Sequence, residues 1–473
     1  MNVKKKAMEG KYLYRAVCCT ILTIIDAALF VRVWYNFVKI NNTTGQLTGL
    51  GNLGMALGIY VVLTIVMFKG VGGYKIGVNR KTNILASQVV AIFSVNFLEV
   101  FISMAITGQF RFFFDFLLVY LMLGGIQSII VCFVSVPMIN SYRTLFPPMT
   151  LLEIGGENEN DLLMKIAGRP DKYEITGKIH YDITEEELRK KLSNYDAVLI
   201  NDIPSKPKND IIKICFDMDK RVYFTPKLSD IIVKSSDALN LFDTPLYFCR
   251  NIGMPLWQRI LKRVMDVLLS AIALIVASPV MLVVALLIHK EDGGPVFFKQ
   301  ERCTLGGEKF MILKFRSMIV DAEKDGKPRP AGEDDDRITK VGHFIRATRI
   351  DELPQLINIL KGEMSIVGPR PERVEHVEKY CEDIPEFAFR QKVKGGLTGY
   401  AQVYGKYNTS ALDKLKLDMI YIVNYSFLMD VQIIFETIKV IFRKESTEGF
   451  TQEQQNEMRS AVSGKEIRSP ERM

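Results

Sequence analysis

The sequence predicts a membrane protein built of apolar helices, a small α/β domain and an α-rich domain tied to the membrane by one further apolar segment. Three observations carry this expectation. Four long apolar stretches crowd the first 140 residues; short apolar runs alternate with polar helical segments from about 146 to 250; and a fifth apolar run, Val264 to Ile288, leads into a charged, aromatic-rich stretch that ends near 450. With 473 residues, the chain is long enough for two or three domains with cores of their own.

The four N-terminal stretches, roughly 16–38, 51–69, 84–107 and 112–138, each approach or exceed the about 20 residues that cross a bilayer as a helix. Residues 1–145 are therefore expected to form a four-helix transmembrane region. Lys4-Lys5-Lys6 is basic like the start of a signal peptide, but no small-residue cleavage site follows and three more spans come after it, so retention is expected. Short loops set the orientation. Lys4, Lys5, Lys6 and Lys11 precede the first span, Lys69, Lys75, Arg80 and Lys81 lie between the second and third, and Arg143 follows the fourth, while the loop after the first span holds only Lys39. The positive-inside rule then puts both termini in the cytoplasm. In a chain with spans, a net charge of +8 points to an anionic lipid bilayer as partner and not to nucleic acid. Asp26, Glu99 and Asp115 fall within or beside the spans, where acids mark ion pathways or pair with cations; pairing with Arg32 or Arg111 is the expectation.

Seven cysteines show no CxxC pair and no zinc-type spacing, and Cys18-Cys19 lies inside the first apolar run, so reduced thiols are expected. His180, His289, His343 and His376 are too scattered for a histidine-based metal site.

In the second segment, Thr150 to Ile154, Ala197 to Ile200 and Arg221 to Phe224 read as strands, and Asn158 to Ala167, Glu185 to Leu192 and Asn209 to Asp219 as helices. This is the βαβ rhythm of a parallel sheet, and a Rossmann-like domain over 146–250 fits it. Gly155-Gly156 follows the first strand, but Glu157 and Asn158 stand where a phosphate-binding GxGxxG loop needs further glycine. The nucleotide fold is thus degenerate, with a regulatory or packing role expected.

The fifth run is long enough to span, yet Asp266 lies near its start and Ser278-Pro279 interrupts its middle, where proline removes a helical hydrogen bond. Lys262 and Arg263 precede it and Lys290, Lys299 and Arg302 follow it, so both ends favour the cytoplasm. A re-entrant helix, flanked by Lys262 and Arg263 and broken at Ser278-Pro279, satisfies this. An ordinary fifth span with a tolerated proline is the alternative, and it would put everything after residue 290 outside the cell. The domain over 257–450 contains a polar stretch, Asp321 to Asp336, expected to be a mobile loop, and 451–473 is expected to be a flexible tail.

Arg349-Ile350-Asp351-Glu352-Leu353-Pro354-Gln355 carries two adjacent carboxylates beside an arginine. Taken alone, such a pair is more often a solvated helix start. Helical neighbours point about 100° apart, so one acid can face a substrate while the other holds a cation, and hard oxygen ligands without histidine favour Mg²⁺. The neighbours add positive charge. Pro369-Arg370-Pro371 fixes a guanidinium between rigid prolines, and Lys314-Phe315-Arg316 alternates as a strand does, setting Lys314 and Arg316 on one face. With Arg337, Arg346 and Arg349 they form a cationic set suited to a diphosphate beside a metal and two carboxylates, as phosphoryl transfer requires.

On these residues the chain resembles the bacterial sugar transferases, the monotopic type of polyprenyl-phosphate glycosyl-1-phosphate transferase. The resemblance runs nearly continuously from Lys262 to Phe442, through Lys262-Arg263 with Asp266 and Ser270, Gly294 to Arg302, Lys314 to Met318, Arg337 to Thr339, Asp351 to Gln355, Met364 to Glu372 and Gly396 to Gln402. The spans and Rossmann-like domain ahead of it are similar to those of the long members, which start exopolysaccharide, capsule or O-antigen repeats. The resemblance implies transfer of a sugar-1-phosphate from a UDP-sugar to undecaprenyl phosphate with release of UMP. It implies Asp351 as nucleophile on the β-phosphate, forming a covalent phosphosugar, and Glu352 as the partner of Mg²⁺. Pro369, Arg370 and Pro371 are implied at the nucleotide, with Lys314, Arg316, Arg337 and Gln355 as further substrate-binding candidates. It also implies a monotopic catalytic domain on the cytoplasmic face of the bacterial inner membrane, anchored by the helix with Ser278-Pro279 at its break.

Departures from the family pattern are few: Gly395 stands where proline is usual and Arg349 where serine is common. Ala411 to Arg443 has apolar residues at helical spacing with Lys414, Lys416 and Lys439 between them, which suits core helices and headgroup-plane helices equally. Three other readings compete: the same reaction by direct attack in a ternary complex, an assembly scaffold, and a transporter or flippase, for which the first 140 residues offer few polar groups and no internal repeat. The sugar, the pathway and the oligomeric state stay open, a two-fold homodimer being the commonest arrangement among oligomers.

Overall fold

The computed structural model describes residues 2–38, 50–108, 110–156, 162–249, 253–320, 322, 335–405 and 409–441. Most of the polar stretch from Asp321 to Asp336 and all of the tail from 451 lie outside the described residues. The chain divides into two compact units, one centred on residues 1–225 and the other on 226–449.

In the first unit, helices α1 (Asn2–Val33), α2 (Leu50–Val71), α3 (Lys81–Thr107) and α4 (Phe113–Leu145) occupy the four expected spans. Each region is long and apolar enough to cross a membrane. Outward faces expose Ile24, Val62, Phe97, Leu121 and Ile129, side chains that suit hydrocarbon and not water. Inward, Phe30, Tyr60, Val95, Phe116 and Tyr120 cluster, with the Phe30 and Tyr60 rings stacked at 4.0 Å. Polar groups are buried among them. Gln127 Nε2 donates to Tyr60 OH at 2.7 Å and to the Asp26 carbonyl at 3.0 Å, while its Oε1 accepts from Asn96 Nδ2 at 2.7 Å.

The expected pairing of Asp26 and Glu99 with arginine is overturned. Both acids are fully buried and neither carboxyl group has a hydrogen-bond partner among the described residues. Arg32 and Arg111 are exposed, the latter with its guanidinium over the Phe112 ring at 4.7 Å. Helix geometry is the reason: Arg32 is six residues beyond Asp26, which turns it to a different face of the same helix.

Strands β1 (Met149–Gly155), β2 (Tyr173–His180), β3 (Ala197–Asn201) and β4 (Arg221–Phe224) form a parallel sheet in the order β2-β1-β3-β4. The crossovers run through α5 (Leu162–Ala167), α6 (Glu185–Leu192) and α7 (Ser205–Asp217). Every residue of β3 is buried, as its uninterrupted Ala-Val-Leu-Ile run requires of an interior strand, whereas β2 alternates exposed and half-buried residues at the edge.

The second unit begins with α8 (Leu228–Lys234) and an antiparallel hairpin of β5 (Asp237–Leu241) and β6 (Thr244–Phe248). Then comes α9 (Leu256–Asp292), which runs through Ser278-Pro279 without a non-helical residue. The interruption expected there is bridged. Pro279 has no N–H for the Ile275 carbonyl, and Ser278 Oγ donates to that same carbonyl at 2.8 Å. The middle and the C-terminal half of α9 pack on one domain. Ala273 and Leu274 meet the core of Phe310, Leu356 and Ile359, while Val284 and Ile288 pack with Phe315 and Ile345. Between and around these contacts Ile275, Val276, Leu282 and Leu286 are exposed.

The remaining elements are the antiparallel pair β7 (Phe297–Cys303) and β8 (Lys309–Phe315), then α10 (Lys340–Ala347), α11 (Gln355–Lys361), β9 (Ser365–Val367), α12 (Val374–Asp383), β10 (Gly396–Thr398), α13 (Tyr400–Tyr404), α14 (Ala411–Val423) and α15 (Phe427–Ile441). Leu415 and Met419 of α14 pack with Phe387 and Ile231, and Ile433 of α15 packs with Val367, so α14 and α15 are core helices.

Candidate active site

Asp351 and Glu352 do not lie on an α-helix. Helix α10, capped by Thr339 Oγ1 accepting from Gly342 N at 3.0 Å, ends at Ala347; the chain then turns through Arg349 in the left-handed region (φ 58°) into a single 3₁₀ turn, Ile350–Glu352. A non-glycine residue in that conformation costs about 1 kcal/mol, which the packed elements on either side must supply. Successive side chains on so tight a turn diverge, and the two acids face different surroundings.

Glu352 Oε1 receives Lys314 Nζ at 2.9 Å and Arg370 Nη2 at 2.7 Å. Burial alone would raise the Glu352 pKa, but Arg370 and Lys314 outweigh it and hold the carboxyl well below the usual range. Asp351 moves the other way. Burial and the neighbouring Glu352 charge raise it, against the pull of Lys314, Arg346 and Arg370. Burial also draws Lys314 below the ordinary ammonium range despite Glu352, and Glu352 raises Arg370 further. One turn thus holds one acid kept ionised by two cations and a second, more basic acid beside them.

Lys314 comes from β8, whose edge is completed by a side chain: Asn358 Oδ1 accepts from Leu313 N at 3.0 Å and its Nδ2 donates to the Met311 carbonyl at 2.9 Å. Arg370 comes from the Gly368-Pro369-Arg370-Pro371 turn after β9, which pairs in parallel with β10. Glycines allow this turn to lie against β10. Gly368 N donates to the Thr398 carbonyl at 2.8 Å and Gly396 N to the Pro369 carbonyl at 2.9 Å, and a Cβ on Gly368, Gly396 or Gly399 would overlap the opposing backbone. The Gly-Leu-Thr-Gly motif of 396–399 is therefore a close-approach seam.

The other predicted site residues are placed as follows. Gln355 is buried at the first turn of α11. Arg316 is buried and pairs with Asp292 at the end of α9, and Arg337 pairs with Asp335 at 2.8 and 2.5 Å; their recorded ion pairs are not with the dyad. Lys262 Nζ meets Asp430 Oδ2 at 2.7 Å and Tyr421 OH at 3.1 Å in a buried cluster. Arg263 donates to the Ile359 and Leu360 carbonyls at 2.6 and 2.7 Å, capping α11. Asp266 Oδ1 accepts from Ser365 Oγ at 3.0 Å and Ile366 N at 2.9 Å, and so ties α9 to β9.

Sequence reasoning missed the support behind Arg370. Arg390 Nη2 donates to the Arg370 carbonyl at 3.1 Å, and its Nε bonds Asp418 Oδ2 at 2.7 Å; Lys414 bonds Glu372 at 3.0 Å. The one signal was Asp418, an acid on the same α14 stripe as buried Leu415 and Met419.

The family described as Bacterial sugar transferase matches residues 257–444, the segment that holds α9 and this site. A sugar transferase of Haemophilus influenzae, uncharacterized, is 38% identical over 333 residues, covering 63% of this chain and 69% of the relative. The chain belongs to the bacterial sugar transferases. Two further members of the family are similar to it. One is the UDP-N-acetylgalactosamine-undecaprenyl-phosphate N-acetylgalactosaminephosphotransferase of Aeromonas hydrophila, 45% identical over 184 residues, 38% of this chain and 43% of the relative. The other is the UDP-glucose:undecaprenyl-phosphate glucose-1-phosphate transferase of Escherichia coli K12, 42% identical over 203 residues, 42% of each chain. The chain therefore spans less than half the length of these two relatives.

Proposed function

We propose that this chain transfers a sugar-1-phosphate from a UDP-sugar to undecaprenyl phosphate and releases UMP. The observation that carries the reading is the Asp351-Glu352 turn, with one acid clamped by Lys314 and Arg370 and the other raised in basicity beside them. The Aeromonas and Escherichia relatives are named for different sugars but share a UDP-linked donor and an undecaprenyl phosphate acceptor, which supports the reaction class and leaves the sugar open.

In this reading the Asp351 carboxylate forms a bond to the β-phosphorus, the bond from that phosphorus to UMP breaks, and UMP leaves with the electron pair. A phosphate oxygen of the lipid then attacks the same phosphorus and displaces Asp351. Two easier displacements replace one. Lys314 and Arg370 are charges set before the reaction, aimed at oxygens on which negative charge builds. Pro369 and Pro371 limit the motion of Arg370. Mg²⁺ is the expected cofactor, and the donors suit a hard ion that takes one or two carboxylates plus substrate phosphates: the Asp351 carboxyl and Glu352 Oε2, since both cations bond Oε1. Such an ion would add charge neutralisation at the diphosphate.

The catalytic unit belongs, in this reading, to the cytoplasmic face of the bacterial inner membrane, with α9 re-entrant. Both ends of α9 bind one domain, through Lys262 and Asp266 at one end and Ile288 and Asp292 at the other, which opposes a helix whose ends face opposite compartments. The parallel-sheet domain serves regulation or packing. Purified chain with Mg²⁺, undecaprenyl phosphate and a panel of UDP-sugars tests the function. UMP release with at least one sugar, abolished in Asp351→Asn, is expected; activity unchanged in that variant would sink the mechanism. Labelled phosphosugar retained on the protein without acceptor separates the covalent route from a ternary complex.

A further inference from the structure

The N-terminal helices enclose two acids to which no other described residue offers a hydrogen bond. Asp26 of α1 and Glu99 of α3 are fully buried, and all four carboxyl oxygens lack a hydrogen-bond partner. An isolated carboxylate in an apolar interior is costly enough that it takes up a positive charge. The atoms around Asp26 are short of donors as well. Gln127 ties the Asp26 backbone to Tyr60 of α2 and to Asn96 of α3, yet Asn96 Oδ1 is buried and unpartnered among the described residues, and Thr64 Oγ1 is buried beside the Tyr60 hydroxyl. Carboxylate and amide oxygens only accept, and a hydroxyl oxygen has lone pairs to spare. Asp26 of α1, Tyr60 of α2 and Asn96 of α3 meet at Gln127, and Thr64 lies one turn beyond Tyr60, which stacks on Phe30, so three helices carry oxygen-bearing side chains near one level of the bundle.

We propose that this level of the bundle binds a small alkali-metal cation, with Asp26 supplying the charge and Asn96 and Thr64 supplying neutral oxygens. One carboxylate and one monovalent ion leave the site neutral, whereas protonation of Asp26 answers only one of the unpaired atoms. Oxygen ligands without sulfur or imidazole suit a hard ion of this class. Among the described residues, the ionisable groups in electrostatic contact with Asp26 are Tyr60 of α2 and Tyr74 in the turn after α2, neither of which can carry positive charge. The site is independent of the transferase chemistry proposed for the second unit.

The test is the unfolding midpoint of the full chain in detergent, at constant ionic strength, in chloride salts of Na⁺, K⁺ or N-methylglucamine. Na⁺ is expected to raise the midpoint above that in N-methylglucamine, and the rise should shrink as pH falls, because protons compete for Asp26. Asp26→Asn should abolish the Na⁺ dependence. Thr64→Val keeps the carboxyl group and should weaken the dependence, which preserves the test if Asp26→Asn fails to fold. Equal midpoints in the three salts would overturn the proposal, as would a Na⁺ effect that survives Asp26→Asn. A midpoint that follows pH alone would mean that the acids simply hold protons, and the cation site would be rejected.

Discussion

Asp430→Asn isolates the worth of one buried charge in the catalytic unit. Asp430 has no exposed surface, Lys262 is 7% exposed, and the two meet at 2.7 Å, with Tyr421 OH donating to the second Asp430 oxygen at 2.8 Å. At an effective dielectric constant of about 20, attraction at that separation is roughly 6 kcal/mol, and the cost of taking both ions from water offsets most of it. The intact pair therefore adds little net stability. Removing one partner is different, because the Lys262 ammonium stays between the Tyr421 and Tyr425 rings with no counter-charge. Losses of this kind are about 3–5 kcal/mol, and asparagine, which can still bond Tyr421, should sit near 3. In a unit of this size that lowers the unfolding midpoint by about 6–12 °C, followed by circular dichroism in detergent. The paired variant Lys262→Met with Asp430→Leu should regain most of the loss. A single variant that loses less than about 1 kcal/mol, or a pair no better than the single, would refute the reasoning. Because Tyr421 OH also bonds the Val367 carbonyl at 3.2 Å, just before the Gly-Pro-Arg-Pro turn, UMP release should decline with stability.

The dyad, the glycine seam and α9 carry further outcomes. Asp351 is raised, and in the proposed mechanism it attacks as the carboxylate, so UMP release should fall as pH drops through a value above the ordinary carboxylate range. Glu352→Gln should lower that release by about 10²–10³-fold at all pH values, as loss of a pre-set charge does. The depressed Glu352 pKa adds stability above the usual carboxylate pKa and loses it as pH falls toward the folded value, so acid unfolding should be shallower in Glu352→Gln. Gly396→Ala drives a Cβ into the Gly368 backbone and should cost about 1–3 kcal/mol in thermal unfolding, more than Gly253→Ala, whose Cβ makes only an ordinary contact with the Lys392 carbonyl at 3.9 Å. Ser278→Ala leaves the Ile275 carbonyl without the donor that replaces Pro279; a loss of about 1–2 kcal/mol is expected, restored by Ser278→Thr.

Much of this architecture is legible along the chain because it rests on local periodicity. Four spans, the βαβ rhythm and the apolar run of α9 are patterns of hydrophobic spacing, and the helices and parallel strands fall on them. Lys314, Arg370 and Glu352 are also legible as a charged set, and they do converge. Partners across the fold are not legible along the chain: Arg316 and Arg337 carry ion pairs with Asp292 and Asp335. Asp26 was expected to pair with a nearby arginine, and helix rotation separates the two.

The sequence by itself determined which residues carry charge, where apolar segments are long enough to leave water, and which motifs mark the family. Only the tertiary structure decided which charge answers which: that Glu352 is clamped while Asp351 is raised, that Arg390 and Asp418 stand behind Arg370, and that the Asp26 and Glu99 carboxyl groups have no hydrogen-bond partner among the described residues. The physical reason is range. Hydrophobic patterning acts through neighbours a few residues apart, whereas Coulomb and hydrogen-bond partners are chosen at about 3 Å in space, between segments that the chain alone leaves far apart.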